Sequence, residues 1–361
     1  MLTTRAEAVV DLDAVRESVA TLRAAAGSAQ VLAAVKADAY GHGAVPVARA
    51  ALEAGATWLG VVLVEEGVAL RQAGIRAPIL VMMEPPPGAG AVAAEHRLDL
   101  GVGSPESLCD AAAAGARVHL KVDTGLSRGG SREWPAFVRE ARRLGADVVG
   151  IWSHLACADD RGAVANKEQL ERFADALEVA DALGVQPELR HLANSAATLT
   201  MPEARYDLVR PGIAVYGLSP VAGETFGLRP AMTLRARVAL TKRVPAGTGV
   251  SYGHRYRTGA ETTLALVPVG YADGVPRAAT NTAEVWLGGA RRRVSGTVCM
   301  DQFVVDVGDA AVEAGDVVVL FGEGAHGEPT AQDWADALGT ISYEVVTRVG
   351  ARVPRTYVGA S

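Results

Sequence analysis

The sequence predicts an α/β fold, with an N-terminal eight-stranded (β/α)8 barrel of the TIM type over residues 1–230 and a mainly β domain over 231–361. Three observations predict it. From residue 31 onward, short β-branched apolar runs alternate with alanine-rich amphipathic stretches, the pattern of parallel strands each followed by a covering helix. The runs number about eight, the count that closes a barrel. Near residue 230 the texture changes to strands separated by Gly, Pro and Asp turns.

In chain order, the expected strands are VLAAVKA (31–37), WLGVVLV (58–64), APILVMM (77–83), LDLGVG (98–103), VHLKVDT (118–124), DVVGIWSHLA (147–156), LRHLANS (189–195) and DLVRPGIAVYG (207–217). Between them VARAALEAG, SPESLCDAAAAGA and NKEQLERFADALEVADALG carry apolar residues at helical spacing and end at glycine, a C-cap signal. Ser104 reads as an N-cap, with Pro105 in the first helical position. A doubly wound open sheet shows the same alternation, so the barrel rests on the strand count. Gly217, Pro220, Gly223, Gly227 and Pro230 mark a junction. Beyond it MTLRARVALTKRV, TTLALVPVGY, AEVWLGGARRRVSGTV, QFVVDVG and DVVVLFG read as strands, and QDWADAL as a short helix. The opening residues are expected to pack with this second domain.

Composition narrows the function. The chain is 49% apolar, ample for a core, and its 35 basic against 41 acidic residues give a net charge of −6. That balance offers no electrostatic footprint for nucleic acid or an anionic membrane, which favours small-molecule partners. Cys109, Cys157 and Cys299 are too few for a disulfide framework and show no metal-ligand spacing; no metal is expected. MLTTRAEAVVDLD lacks a basic region followed by an apolar one, and no run approaches the ~18 apolar residues that span a bilayer. A cytoplasmic location is expected.

In a barrel of this type chemistry sits at the C-terminal strand ends, and several polar residues fall there. AAVKADAYGHG places Lys36 at the end of an apolar strand, where partial desolvation lowers an amine's pKa and suits it to Schiff-base chemistry; a lysine snorkelling from the rim looks the same. His154 ends another strand in SHLA, as a site residue or a structural one. Asn194 and Ser195 end the next, either as a simple N-cap or as donors to a phosphate. DLVRPGIAVYG buries Arg210, which needs a partner, and follows it with Pro-Gly, where backbone N–H groups can approach an anion. KVDTGLSRGG ends in Lys121, Asp123 and Arg128, suited to a carboxylate or to a salt-bridged loop.

Taken together, AAVKADAYGHG, KVDTGLSRGG, SHLACADD, HLANSAA, VRPGIAVYG, VSYGH, PVGYADG, GTVCMDQ and TISYEV resemble the alanine racemase family in order and spacing, over nearly the whole chain. The resemblance implies an isomerase that interconverts L- and D-alanine with pyridoxal 5'-phosphate and supplies D-alanine for peptidoglycan. Lys36 matches the lysine that holds the cofactor covalently, and Tyr252 the second base, supplied by the other subunit of a homodimer. Tyr40, Ser195, Gly212, Ile213 and Tyr343 match positions that hold the cofactor phosphate. Arg210 matches the arginine facing the pyridine nitrogen, with His154 beside it and Asn194 in the same cofactor-binding segment. Arg128 and Met300 match residues near the substrate carboxylate and the cofactor ring oxygen, and Lys121 a lysine often carbamylated in the family. Asp159, Tyr271, Arg277 and Ile341 match positions along the channel leading to the site. Thr297 stands where many relatives have arginine, and SRGG replaces their commoner Gly-Arg loop. The alternatives are a broad-specificity racemase, serine included, and a non-catalytic pyridoxal-phosphate-binding protein, which would lack the second domain.

Overall fold

A computed structural model describes residues 4–359. The chain begins with β1 (Ala6–Asp11), whose residues alternate buried and half-buried, as a sheet with one covered face requires. Asp11 ends it and caps the helix Leu12–Ala26, accepting from the amides of Asp13 (2.9 Å) and Ala14 (3.2 Å). Eight strands follow: β2 (Gln30–Ala34), β3 (Trp58–Val61), β4 (Ile79–Val81), β5 (Asp99–Val102), β6 (Arg117–Lys121), β7 (Asp147–Trp152), β8 (Leu189–His191) and β9 (Leu208–Val209). They pair in parallel in the order β8-β7-β6-β5-β4-β3-β2-β9. The remaining seam, β8 to β9, is joined by the amides of Asp207 and Arg210, which donate to the carbonyls of Arg190 (3.0 Å) and Ala193 (2.9 Å). The sheet therefore closes as a barrel.

Each expected strand is present and shorter. The largest difference is at 207–217, where the strand stops at Val209 and Ile213–Tyr216 turns into a 3-10 helix. Pro211 has no N–H to continue a ladder, and Gly212 takes φ −112°, ψ −89°. Leu32, Ala34, Trp58, Leu80, Val149, Leu189 and Leu208 pack together with Met82, tying strands from both sides of the seam. The expected helices appear as Ala44–Glu53, Pro105–Ala113 and Val164–Ala182, and the Ser104 hydroxyl accepts from the Ser107 amide (3.2 Å) as an N-cap does. Val15–Ala39 and Ala44–Leu228 make up this unit.

The second unit holds the described residues through Ala14, the stretch Tyr40–Gly43, and the chain from Arg229 onward. Its strands are β10 (Met232–Arg237), β11 (Leu240–Val244), β12 (Gly249–Val250), β13 (Tyr256–Arg257), β14 (Thr262–Val267), β15 (Glu284–Leu287), β16 (Ala290–Arg293), β17 (Phe303–Gly308), β18 (Val317–Phe321) and β19 (Arg355–Val358). One sheet runs β16-β15-β18-β10-β1-β19, a second β11-β14-β17, and β12-β13 is a hairpin. β1 lies antiparallel to β10 and parallel to β19. The β15–β16 turn is Gly288-Gly289, both at positive φ (60° and 78°), the conformation a tight hairpin needs. QDWADAL folds as the helix Ala331–Leu338, closed at its start by Thr330 and Asp333 exchanging hydrogen bonds.

Candidate active site

Lys36 lies two residues beyond β2, not within the strand as its sequence suggests. From Ala37 the backbone turns left-handed: Ala37, Asp38, Ala39 and Tyr40 have φ of 51°, 51°, 54° and 52°. Each such L-residue costs about 1–2 kcal/mol, so local bonds must hold the turn. Glu66 holds its first residue, accepting from the Ala37 amide (2.6 Å) while it also accepts from the amides of Val62 (2.9 Å) and Leu63 (3.1 Å) at the start of the helix Val64–Gln72. Asp38 accepts from the Ala44 amide (2.7 Å) and starts the next helix. These bonds fix the backbone that carries Lys36. Burial lowers its pKa, and repulsion from Arg128 adds to this, with Glu66 opposing.

Lys121 closes β6 with its ammonium 4.6 Å over the Trp152 ring. Burial, Arg128 and Arg210 lower its pKa, against Glu84 and Asp123. Asp123 organises the loop that follows: it accepts from the amides of Gly125 (3.0 Å) and Ser127 (3.0 Å) and pairs with Arg132 (3.0 Å). Arg128 stays exposed on that loop.

Arg210, directly after β9, is 4% exposed. Its guanidinium donates to His191 Nδ1 (3.0 Å), the Ser153 carbonyl (2.6 Å), the Leu192 carbonyl (3.3 Å) and His154 Nδ1 (3.3 Å). Among the described residues no carboxylate pairs with it. Burial pulls its pKa down to about 9, which leaves it charged at neutral pH. A guanidinium only donates, so the facing imidazole nitrogens must carry lone pairs. His154 is accordingly neutral, its pKa pushed down to about 3 by burial and by Arg210, Arg128, Lys121 and Lys36, and its proton sits on Nε2.

After β8, the two readings of HLANS divide between neighbours. Asn194 is the N-cap of Ser195–Thr200, accepting from the Ala197 amide (3.1 Å). Ser195, 4% exposed, turns its hydroxyl to the turn after β9, accepting from the Gly212 amide (2.7 Å) and more weakly from Ala214 (3.4 Å). With its acceptor side engaged, the Ser195 hydroxyl can donate outward. Asp159, the remaining residue singled out in this unit, is exposed.

The second unit carries the other residues. Tyr40 is buried and tilted against Tyr343, ring centroids 6.2 Å apart. Burial and Tyr343 raise the Tyr40 pKa, so it remains a phenol donor. Tyr252 begins a short 3-10 turn and is 74% exposed. Thr297 donates to its carbonyl (2.8 Å), while Ser251 donates to the Thr297 carbonyl (2.7 Å). Thr297 thus anchors the Tyr252 turn. The amides of Tyr271 (3.1 Å) and Ala272 (2.9 Å) donate to the carbonyls of Cys299 and Met300, which gathers Tyr252, Tyr271 and Met300 in one loop cluster. Tyr271, Met300 and Ile341 are exposed apolar side chains, and Arg277 is exposed as well.

Sequence reasoning missed Glu66, His191 and Trp152. The last two could have been found: each sits at the final position of a strand, Trp152 just before SHLA and His191 as the first residue of HLANSAA.

Known proteins resemble the chain over nearly its whole length. The family model described as Alanine racemase, N-terminal domain, matches residues 10–220, and that for the C-terminal domain matches 231–357. The chain is 59% identical to an alanine racemase of Frankia casuarinae over 98% of this chain and 96% of that one. It is 57% identical to one of Thermobifida fusca over 98% of each. The crystal structure of alanine racemase from D-cycloserine producing Streptomyces lavendulae matches at 51% identity and TM-score 0.98, covering 100% and 99% of the two chains. That of the Bacillus anthracis enzyme with bound L-Ala-P matches at 36% and 0.93, covering 99% and 96%.

Proposed function

The chain belongs to the alanine racemase family, and we propose that it interconverts L- and D-alanine by passing the α-proton between Lys36 and Tyr252. It is an isomerase of the pyridoxal-phosphate-dependent kind found in that family. The observation that carries the residue-level reading is Arg210: a buried guanidinium whose partners are imidazoles and carbonyls, with no carboxylate among the described residues pairing with it.

The donor set fits the cofactor's chemistry. Lys36 offers an amine of lowered pKa for its carbonyl, and Ser195 with the Gly212–Ile213 backbone offers donors for its phosphate. Asn194 holds Ser195 in place through the cap. The family's remaining phosphate positions fall on Tyr40 and Tyr343 of the second unit. Arg210 would face the ring nitrogen, with His154 Nε2–H donating beside it. When bound, pyridoxal phosphate supplies an electron sink that acidifies the α-C–H of alanine.

Lys36 Nζ takes the α-proton of the D-isomer, and Tyr252 Oη takes that of the L-isomer; the group on the opposite face returns a proton. Arg210 gives a hydrogen bond without surrendering its proton, which keeps the ring nitrogen unprotonated and disfavours transamination. Arg128 and Met300 position the substrate carboxylate. Lys121, whose lowered pKa leaves more free amine to react with carbon dioxide, carries a carbamate that orients Arg128.

Tyr252 comes from a second copy. Its 74% exposure, with Met300 at 53% and Ile341 at 57%, suits surfaces that a homodimer covers. Asp159, Tyr271, Arg277 and Ile341 line the approach. Among the described residues no helix is long and apolar enough to cross a membrane. Free cysteines at 109, 157 and 299 suit a cytoplasmic enzyme supplying D-alanine for peptidoglycan.

Subunit mixing tests this directly. Lys36→Ala and Tyr252→Ala proteins should each fail to form D-alanine from L-alanine with added cofactor. Mixed and reassorted, they should regain about a quarter of wild-type activity, because half the dimers are then hybrid with one intact site. An active Tyr252→Ala homodimer, or no recovery in demonstrated hybrids, would overturn the shared two-base site.

A further inference from the structure

Behind Arg210 a line of buried polar groups runs through the barrel and has no part in the proton exchange. His191 Nδ1 accepts from Arg210 (3.0 Å), and His191 Nε2 lies 2.8 Å from His119 Nδ1. His119 Nε2 lies 3.2 Å from Asp99, which also pairs with Arg117 (3.2 Å). Both histidines are 0% exposed and Asp99 is 4% exposed. Buried polar groups on this scale persist only when every one is satisfied.

The strands are shaped for the line. His119 stands on β6 and His191 on β8, so the contact must pass β7, where the residue level with His119 is Gly150. A Cβ there would fall 2.2 Å from His119 Nδ1, so the glycine opens the slot the ring occupies. Trp152 stacks on His191 (5.8 Å, 5° between planes), and Trp58 meets His119 edge-on (5.6 Å, 79°), which holds both rings from the side.

Direction follows from the ends. Arg210 can only donate, and an ionised Asp99 can only accept. His191 must therefore accept at Nδ1 and donate from Nε2, His119 must do the same, and each ring carries one proton, on Nε2. We propose that Asp99 and His119 are positioning residues for racemisation: acting through His191, they hold the Arg210 guanidinium in its plane and set a carboxylate's negative charge behind it. This gives a buried cation without a direct counterion a remote one, linked by three hydrogen bonds in series. The proposal rests on Arg210 facing the cofactor ring nitrogen.

The test has two parts. In cofactor-free protein labelled with 15N-histidine, long-range 1H–15N spectra should show the Nε2–H tautomer at both rings, assigned with His119→Asn and His191→Asn. An Nδ1–H tautomer at either ring overturns the relay. With pyridoxal phosphate bound, Asp99→Asn keeps an oxygen near His119 but removes the charge, and His119→Asn keeps an acceptor for His191 but cuts the link to Asp99. Both should raise transamination events per racemisation roughly two- to thirtyfold, the range of remote coupling through a contiguous network. Val138→Ala, a buried change on the helix Trp134–Leu144, should lower stability and leave that ratio alone. If the ratio is unmoved in Asp99→Asn and His119→Asn yet moves in Arg210→Lys, the relay falls and the Arg210 reading survives. If it is unmoved in all three, both fall. Should His119→Asn fail to fold, Asp99→Asn decides.

Discussion

Lowering the pH from 7 to 5 should weaken the cofactor-free barrel unit by about 2 kcal/mol through His154, with His191 adding in the same direction. In the folded protein His154 stays neutral down to about 3, because burial and the surrounding cations disfavour its charged form. Burial and Arg210 also hold His191 well below its ordinary value of 6.5. In the unfolded chain both rings take up protons as the pH falls through about 6.5. The unfolded state therefore binds more protons below that point, and stability falls with pH. A ring that stays neutral contributes about 1.4 kcal/mol per pH unit, so His154 gives about 2 kcal/mol by pH 5, and His191 adds to it. Carboxylates act in a lower window. Asp123, Asp273 and Glu7 have lowered pKa values, so their stabilisation is complete above the ordinary carboxylate range and is lost only as the pH falls through it. The interval from 6.5 to 5 therefore belongs to the imidazoles. Urea unfolding read by tryptophan fluorescence suits the measurement, since Trp152 stacks on His191. His154→Asn should lower the slope. A flat profile between pH 6.5 and 5, or the full wild-type slope in His154→Asn, would refute the reasoning.

Two further outcomes are expected. Ser195→Ala removes a buried hydroxyl that holds the Gly212 amide at 2.7 Å, and it should weaken cofactor affinity about tenfold or more, measured by fluorescence titration with pyridoxal phosphate. Ala37→Gly keeps the amide bonded to Glu66 and relieves one left-handed residue, so it should raise the urea midpoint by about 0.5–1 kcal/mol in free energy after glycine's own entropic cost. A lower midpoint would mean that the turn is not strained at that position.

The barrel was legible because each parallel strand must be apolar and each covering helix amphipathic, and the two periods alternate plainly along the chain. The strand ends were less so. Apolar residues such as Val35 and Val62 continue the pattern past the ladder, so 31–37 and 58–64 overshoot. Lys36 was found at the right corner, but nothing local announces a left-handed turn in KADAY, because Glu66, which bonds the Ala37 amide, lies about thirty residues away. Arg210 was legible as a buried cation in need of a partner. That the partners are His191 and His154 was not, since strand order alone brings them together. Gly150 has no visible role in sequence. Its meaning appears only when the His119 ring is found where its Cβ would be.

The place of β1 between β10 and β19 has a bearing on how the protein is made. β1 leaves the ribosome more than two hundred residues before either of its two neighbours. Throughout that interval the nascent strand has no sheet to join, and both its edges are open to a wrong partner. Arg5 and Glu7, which in the finished sheet pair with Asp273 and Arg235, keep the waiting segment charged and guard it against aggregation. Completion of the second unit thus waits for β10 and β19. Removing β1 or β19 would strip a partner from the same sheet, however distant the two cuts lie along the gene.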